Sequence, residues 1–183
     1  MNAEEIYSEL SAHFIKGMMA HDQFSDMYDF LSLRGYKRFH EYQFKKDSCA
    51  YKKIHRFYIN HYNRLIIEKE VSDPALIPAS WYRYIRQEVD ASTKKSAVKT
   101  AIEKWIDWEK DTKTKLTTAY KGLIDADDVC GAEMVKELLY DVSHELKMAE
   151  RKKLDLEAMD YSLAYIIGEQ THIHDKYKRK MKW

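Results

Sequence analysis

The chain has 183 residues, and its 31 basic and 30 acidic side chains leave a formal net charge of only +1 at pH 7. Because domains that bind nucleic acid normally carry a basic excess, this charge argues against nucleic acid as a partner of the whole domain. Its two cysteines, Cys49 and Cys130, are too few for a disulfide framework and fit a reducing compartment. No apolar run approaches the roughly 18 residues of a membrane span and the N-terminus lacks a signal-peptide pattern, so we expect a soluble cytoplasmic protein with no membrane partner.

Long helices are expected throughout the chain. Five glycines and two prolines are few for this length, and the abundant Leu, Ala, Glu, Lys, Tyr and Met favour helix. Apolar residues recur at helical spacing along five segments. We predict helices at residues 3–28, 36–67, 92–124, 128–157 and 159–176. The length suits one domain spanning residues 1–183.

The segment between the second and third predicted helices loses the helical period and contains both prolines. A helix of about 30 residues is on the order of 45 Å long, and some two dozen extended residues at about 3.3 Å each can cross that distance. The second and third helices are therefore predicted to run parallel, in an all-α four-helix bundle with a long crossover. We expect Trp81, Tyr82, Tyr84 and Ile85 to hold the crossover against the bundle.

Each of the four long helices carries one acidic residue on or beside its apolar stripe: Glu9, Asp47, Glu109 and Glu145. A carboxylate facing the core is unfavourable unless it is paired or bound to a cation. In four-helix bundles, inward carboxylates and an acid-x-x-His pair build di-iron sites, and iron(II) and manganese(II) accept such ligands. The other interpretation is that these acids pair with inward Lys or His, or reach water at the edge of a stripe. Spacing alone leaves both open.

Five segments carry a resemblance to the ferritins: IYSELSAHFIKGMMA, GYKRFHEYQFKKDSCAYKKIHRFYIN, WEKDTKTKLTTAYKGLIDADD, VSHELKMAERKKL and SLAYIIGEQTHIHD. They are similar to the five ferritin helices in order and length, and the long crossover agrees. The resemblance implies a ferritin-like up-down-down-up bundle with a short fifth C-terminal helix. It also implies a subunit of an iron-storage shell that self-associates, alone or with other ferritin subunits.

The ferritin iron site maps onto this sequence in a damaged form. By resemblance, Glu9 and Glu109 match the first-helix and third-helix glutamates, and Glu145 takes the Gln/Glu position of the fourth helix. The acid-x-x-His pair of the second helix corresponds to Asp47 and Ala50, so the acid is shortened and the histidine is missing.

Two further departures weaken the site. Met148 stands where bacterial members place another carboxylate. Lys16 falls where many ferritins have a tyrosine beside the centre, and an inward ammonium would tie the carboxylates into salt bridges. We therefore predict an iron-binding, iron-storage subunit whose ferroxidase centre is weakened or absent, which leaves enzymatic activity open. The alternative is a ferritin-fold structural or binding protein that no longer binds iron.

Other candidate sites have simpler interpretations. The histidines of the long helices show no repeated pairing, and the four convergent ligands of a zinc site cannot be assembled from them, so we expect them to be solvated or satisfied in the core. The sequence from His172 to Asp175 and the basic end KYKRKMKW are interpreted as solvated tail, although such tails can contact anionic surfaces.

Overall fold

The computed structural model describes residues 2–72, 74 and 89–180, which form five helices and no strand. The helices are α1 (Ala3–Phe30), α2 (Arg34–Tyr62), α3 (Ala91–Asp125), α4 (Val129–Ala158) and α5 (Leu163–Lys180). The predicted all-α class is confirmed. The crossover residues 81–85 and the last three residues of the basic end lie outside the described residues. None of the described helices combines the length and the apolar character needed to cross a membrane.

Local capping explains where the helices begin and end. The backbone N–H of Glu5 donates to Asn2 Oδ1 at 2.9 Å and the N–H of Asn2 donates to Glu5 Oε2 at 3.0 Å, a reciprocal pair that starts α1. The second helix ends before the predicted residue 67. Asn63 takes a left-handed conformation with φ 53° and its N–H closes on the carbonyl of Ile59, a common way to stop a helix.

Contacts at both ends of the bundle show that α2 and α3 run parallel. Phe39, near the start of α2, packs edge-to-face on Trp105 in the first half of α3, with ring centroids 4.6 Å apart. Tyr62, at the end of α2, donates a hydrogen bond of 2.7 Å to Asp128, just beyond α3. Because the turns after α1 and α3 are short, the order is up-down-down-up, as predicted.

The apolar core is divided into two clusters by a polar layer at mid-height. One cluster contains Phe24, Tyr28, Tyr36, Trp105, Leu156 and Ile166. The other contains Ile6, Leu10, Ile54, Leu116, Leu123 and Val135. Buried polar side chains occupy the stretches of helix between these clusters: His21, His40, Gln43, Glu109, Thr112 and Glu145. The polar layer therefore places the ionisable groups of all four helices at one level of the bundle.

A network around Asp128 closes the opposite end of the bundle from α5. The hydroxyls of Tyr7 and Tyr62 donate to Asp128 Oδ2 at 2.6 and 2.7 Å, and the N–H of Gly131 donates to Oδ1 at 2.9 Å. Burial alone would raise the pKa of Asp128, but these hydrogen bonds outweigh burial and hold the pKa below its usual value. Asp128 thus joins the start of α1, the end of α2 and the start of α4.

Replacing Tyr7 with phenylalanine should lower the free energy of unfolding at pH 7 by about 1–3 kcal/mol, because one hydrogen bond to a buried carboxylate is lost. Since the pKa of Asp128 is depressed in the folded state, its contribution is present above the usual aspartate pKa and disappears as the pH falls through the folded pKa. Urea titrations at pH 7 and pH 3 test both statements. Tyr140→Phe, at an exposed tyrosine of α4, is the matched control, and an equal loss there would contradict the prediction.

Candidate metal centre

Three of the four predicted ligands come together in the polar layer: Asp47 from α2, Glu109 from α3 and Glu145 from α4. They line one cavity of about 270 Å³, together with Ala50 and Trp108. Their charges influence one another, because Glu145 raises the pKa of Asp47 and of Glu109. The structure thus brings these three acids of different helices to one cavity, and their role as metal ligands stays a prediction.

Glu9 lies elsewhere. Its side chain is 48% exposed and its Oε1 accepts a hydrogen bond of 2.9 Å from Lys69, at a groove between α1 and α3. The prediction that Glu9 faces the same interior site is wrong. Tyr7 and Leu10 take the buried positions of this turn, so Glu9 falls at the edge of the apolar stripe and turns toward the residues that follow α2.

Glu145 is held by two side chains of α2. Lys46 Nζ pairs with its Oε1, and Gln43 Nε2 donates to its Oε2 at 2.7 Å. Both carboxylate oxygens therefore have protein partners. The inward ammonium that the sequence assigned to Lys16 is supplied by Lys46 instead, whereas Lys16 lines the groove between α1 and α3.

Glu109 is buried, with 5% of its surface exposed, and it accepts a hydrogen bond of 2.9 Å from the indole N–H of Trp105, one helical turn earlier. Burial raises the pKa of Glu109 to about 7, and the charge of Glu145 acts in the same direction, while the Trp105 hydrogen bond and Lys46 oppose the shift.

Asp47 carries a buried oxygen, Oδ2, that has no hydrogen-bond partner in the described part of the chain. His21 Nε2 lies 3.7 Å from this oxygen, and His21 Nδ1 lies 3.0 Å from Nδ1 of His40. Burial and the neighbouring carboxylates raise the pKa of Asp47 well above its usual value, although Lys46 opposes them. Burial and Lys46 lower the pKa of His21 to about 3, so the imidazole is neutral. The neutral imidazole of His21 therefore supplies no positive charge to offset an ionised Asp47, which agrees with the raised pKa of that carboxyl.

The first helix contributes no carboxylate beside Asp47, because a glycine, Gly17, lies there. A Cβ atom on Gly17 would come within 2.3 Å of Asp47 Oδ2 and 2.8 Å of Trp108 Cζ2. The backbone of α1 thus approaches the acid of α2 directly. The indole of Trp108 also stacks on His13 with centroids 4.4 Å apart, which fills the space beside the glycine.

The residues present do not fit a two-iron centre. Among the residues that the structure describes, no group of three or more His, Cys, Asp or Glu side chains is arranged to hold a metal ion. Ala50 presents no imidazole to the cavity, and the Lys46 ammonium lies within it. Glu145 and Glu109 are instead engaged by donors of the protein itself.

The histidines fit the interpretation of side chains satisfied in the core. His13 Nε2 lies 2.8 Å from the hydroxyl of Thr112, and both are buried. His55 Nε2 contacts Ser11 Oγ at 2.8 Å and a carboxylate oxygen of Glu68 at 3.0 Å. Because one ring nitrogen serves both contacts, this group does not have the geometry of a nucleophile–base–acid triad.

Sequence reasoning did not foresee the roles of Lys46, Trp105 and the His21–His40 pair. One signal was present, because Gln43, Lys46 and Asp47 follow the i, i+3, i+4 spacing of a single helical face. That face also carries Ala50 and buried Ile54. A lysine inside such a face indicates that the carboxylates opposite it are paired within the protein.

A four-helix bundle with a parallel second and third helix and a docked fifth helix is a ferritin-like fold. Solved archaeal ferritins match the chain over 94% of its length and 94% of theirs, at 12% sequence identity. They include a humanized archaeal ferritin, with a TM-score of 0.78, and the Archaeoglobus fulgidus ferritin in an engineered closed form and in an open-pore form, each at 0.77. No protein-family model and no curated protein sequence matches the chain. At this identity the likeness establishes the fold.

Proposed function

We propose that this chain is a subunit of a ferritin-like shell that retains iron but has no working iron-oxidation centre in its bundle. The observation that carries the second part is the engagement of both Glu145 oxygens by Lys46 and Gln43. An ammonium inside the carboxylate cluster supplies the positive charge that a metal would otherwise supply.

The proposed shell and the proposed storage of iron are inferred from the similarity in fold. The matched proteins are ferritins, and the match spans 94% of each chain, so the helices of a ferritin subunit are all represented here. The inference from fold to iron is an analogy and is tested as such. The four predicted metal residues, Glu9, Asp47, Glu109 and Glu145, enter this proposal only as groups whose iron affinity is to be measured.

A second candidate function is a ferritin-fold structural or binding protein without iron. The engagement of Glu145 by Lys46 and Gln43 favours it, because an acid that is paired within the protein is less available to a dication. The two candidates differ in one observable, which is whether the purified protein retains iron after aerobic loading.

After aerobic addition of iron(II) to the purified protein, the iron should be oxidised at the rate seen in buffer alone and should stay with the protein on desalting. Sizing chromatography should show a particle many times larger than the 21.9 kDa chain. If the protein oxidises iron faster than buffer alone and Glu109→Gln abolishes this activity, the proposal that the oxidation centre is missing would be contradicted. A monomer or dimer would contradict the shell. A large particle that retains no iron would support the second candidate function, a ferritin-fold protein without iron.

A gain-of-function variant sharpens this test. Lys46→Leu combined with Ala50→His removes the ammonium and offers an imidazole to the same cavity, so we expect faster oxidation than in the native protein. Lys52→Leu with Ala50→His is the matched control, because Lys52 is an exposed lysine of the same helix. Equal rates for both double variants would show that Lys46 does not block the site.

A further inference from the structure

The outward face of α2 carries a concentration of positive charge that the net charge of +1 for the whole chain conceals. Two residues of this helix are acidic, Glu41 and Asp47. Eight are basic: Arg34, Lys37, Arg38, Lys45, Lys46, Lys52, Lys53 and Arg56. Nothing in the proposed shell function uses this excess of cations.

Five of the basic residues form one line along the helix, which we call the basic ridge: Arg34, Arg38, Lys45, Lys52 and Arg56. At about 100° per residue, these five positions point within about 40° of one another. At about 1.5 Å per residue, the ridge is on the order of 33 Å long. It lies on the side of α2 that faces away from the core, because Arg34, Lys52 and Arg56 are exposed while Ala50 and Ile54 are buried.

Most of the ridge has no acidic partner. Glu41, the acid on this face of the helix, pairs with Arg38 at 2.7 Å. Among the described residues, the other four ridge cations form no ion pair with a carboxylate: Arg34, Lys45, Lys52 and Arg56. Neighbouring cations of the ridge are about 6 or 10 Å apart along the helix axis, so they repel one another, and an extended anion placed over them would relieve this repulsion.

The last turn of α5 adds positive charge beside the ridge. It contains Lys178, Arg179 and Lys180. The ammonium of Lys180 lies over the ring of Tyr42 in α2, 5.2 Å from its centroid, and Lys45 of the ridge follows about one helical turn later. The cationic surface therefore continues from α2 onto the end of α5.

The helix on the other side of the ridge is acidic. Ring contacts join His40 of α2 to His21 of α1, and Tyr42 of α2 to Tyr177 of α5, so α1 and α5 flank α2. The first helix has six acidic residues and a single lysine. A ligand much wider than the roughly 10–12 Å of one α-helix would also meet these acids, whereas a thin anion stays on the cationic surface.

We propose that the basic ridge of α2 binds a linear inorganic polyphosphate, which is a thin chain with a charged phosphate at every unit. Nucleic acids share the phosphates but fit the ridge less well. None of the five ridge positions is aromatic, so the ridge offers no platform on which unpaired bases can stack. A duplex is wide enough to reach the acids of α1. The chain of phosphates needs only the row of cations, from which it releases counterions on binding.

Isothermal titration calorimetry of the iron-free protein with long-chain inorganic polyphosphate tests the proposal. The logarithm of the affinity should fall with the logarithm of the salt concentration with a slope of about −3, because four or five cations contribute about −0.7 each. Tripolyphosphate, an oligothymidylate and a DNA duplex, compared at equal phosphate concentration, should each bind at least about tenfold more weakly. Tripolyphosphate is included because it spans too little of the ridge.

Variants locate the binding surface. Lys52→Gln combined with Arg56→Gln should weaken the binding of polyphosphate by at least about tenfold and make the salt slope less steep by about 1. Lys110→Gln combined with Lys113→Gln is the matched control, because it removes the same charge from exposed lysines of α3, and it should leave the affinity unchanged. Glu41→Gln frees Arg38 and should strengthen binding by about threefold, within the usual worth of one surface ion pair.

Three results would overturn the proposal: no binding of polyphosphate at low salt, an equal loss of affinity in the α3 control, or an oligothymidylate or duplex that binds as tightly as polyphosphate. The last result would identify the ridge as a nucleic-acid surface. Thermal melts confirm that each variant is folded. Because no readout involves iron or particle size, a monomer that binds polyphosphate through the ridge would support this inference and contradict only the proposed shell.

Discussion

Replacing Gly35 with alanine should detach α5 from the bundle and lower the free energy of unfolding by about 3 kcal/mol, at the upper end of the usual cost of overpacking. A Cβ atom on Gly35 would lie 2.1 Å from the carbonyl oxygen of Gln170 and 2.7 Å from the Cα and carbonyl carbon of the same residue. All three contacts are backbone atoms, which cannot rotate away as a side chain can. The helices α2 and α5 must therefore separate to admit one methyl group.

Urea denaturation measures the loss of stability, and amide hydrogen exchange should show α5 opening before the rest of the bundle. Gly168→Ala is the matched control, because a Cβ atom there meets nothing within 4 Å and the residue lies inside α5. That variant should be more stable by about 0.5–1 kcal/mol through helix propensity alone. A Gly35→Ala protein that gains stability in the same way would refute the close approach of the two helices.

Replacing Glu109 with glutamine should stabilise the protein at pH 8 by about 2–3 kcal/mol and leave its stability near pH 4 almost unchanged. Burial raises the pKa of Glu109 from 4.5 to about 7, so the folded state holds this proton more tightly than the unfolded chain does. The contribution of a group with a raised pKa is complete below its unfolded pKa and is lost as the pH rises through the folded pKa. Glutamine cannot ionise, and its amide oxygen can still accept the hydrogen bond from Trp105.

The free energy of unfolding should therefore fall between about pH 4.5 and pH 7 in the native protein more steeply than in Glu109→Gln. Asp47, whose pKa is also raised, keeps part of the slope in both proteins. Glu150→Gln, at an exposed glutamate of α4, is the control and should follow the native curve. Parallel pH profiles for the native protein and Glu109→Gln would show that Glu109 is solvated or metal-bound instead.

The carboxylate layer shows how far residue spacing predicts a site. The spacing predicts Asp47, Glu109 and Glu145 at the bundle centre because each interrupts an apolar stripe, and the structure brings them to one cavity. The same argument predicts Glu9 there, but its side chain is exposed. Successive residues of a helix differ by 100° in direction, so a residue at the edge of a stripe turns inward or outward according to which neighbour packs beside it.

The counter-charge shows a second limit. Sequence reasoning named Lys16 of the first helix as the inward ammonium, whereas Lys46 of the second helix pairs with Glu145. Both lysines lie within a turn of a buried face. The relative height and rotation of packed helices decide which of them meets the acid, and those quantities depend on side chains from several helices at once.

The sequence by itself determined the class of fold, the order of the helices and the parallel course of α2 and α3, because apolar periodicity and connection length are local properties of the chain. Only the tertiary structure decided that Gly17 and Gly35 are points of helix contact, that Lys46 pairs with Glu145 in the carboxylate cluster, and that α5 covers a cavity lined by side chains of four helices. Each of these is a meeting of residues far apart in the chain, and their distance is set by packing, which no single segment encodes.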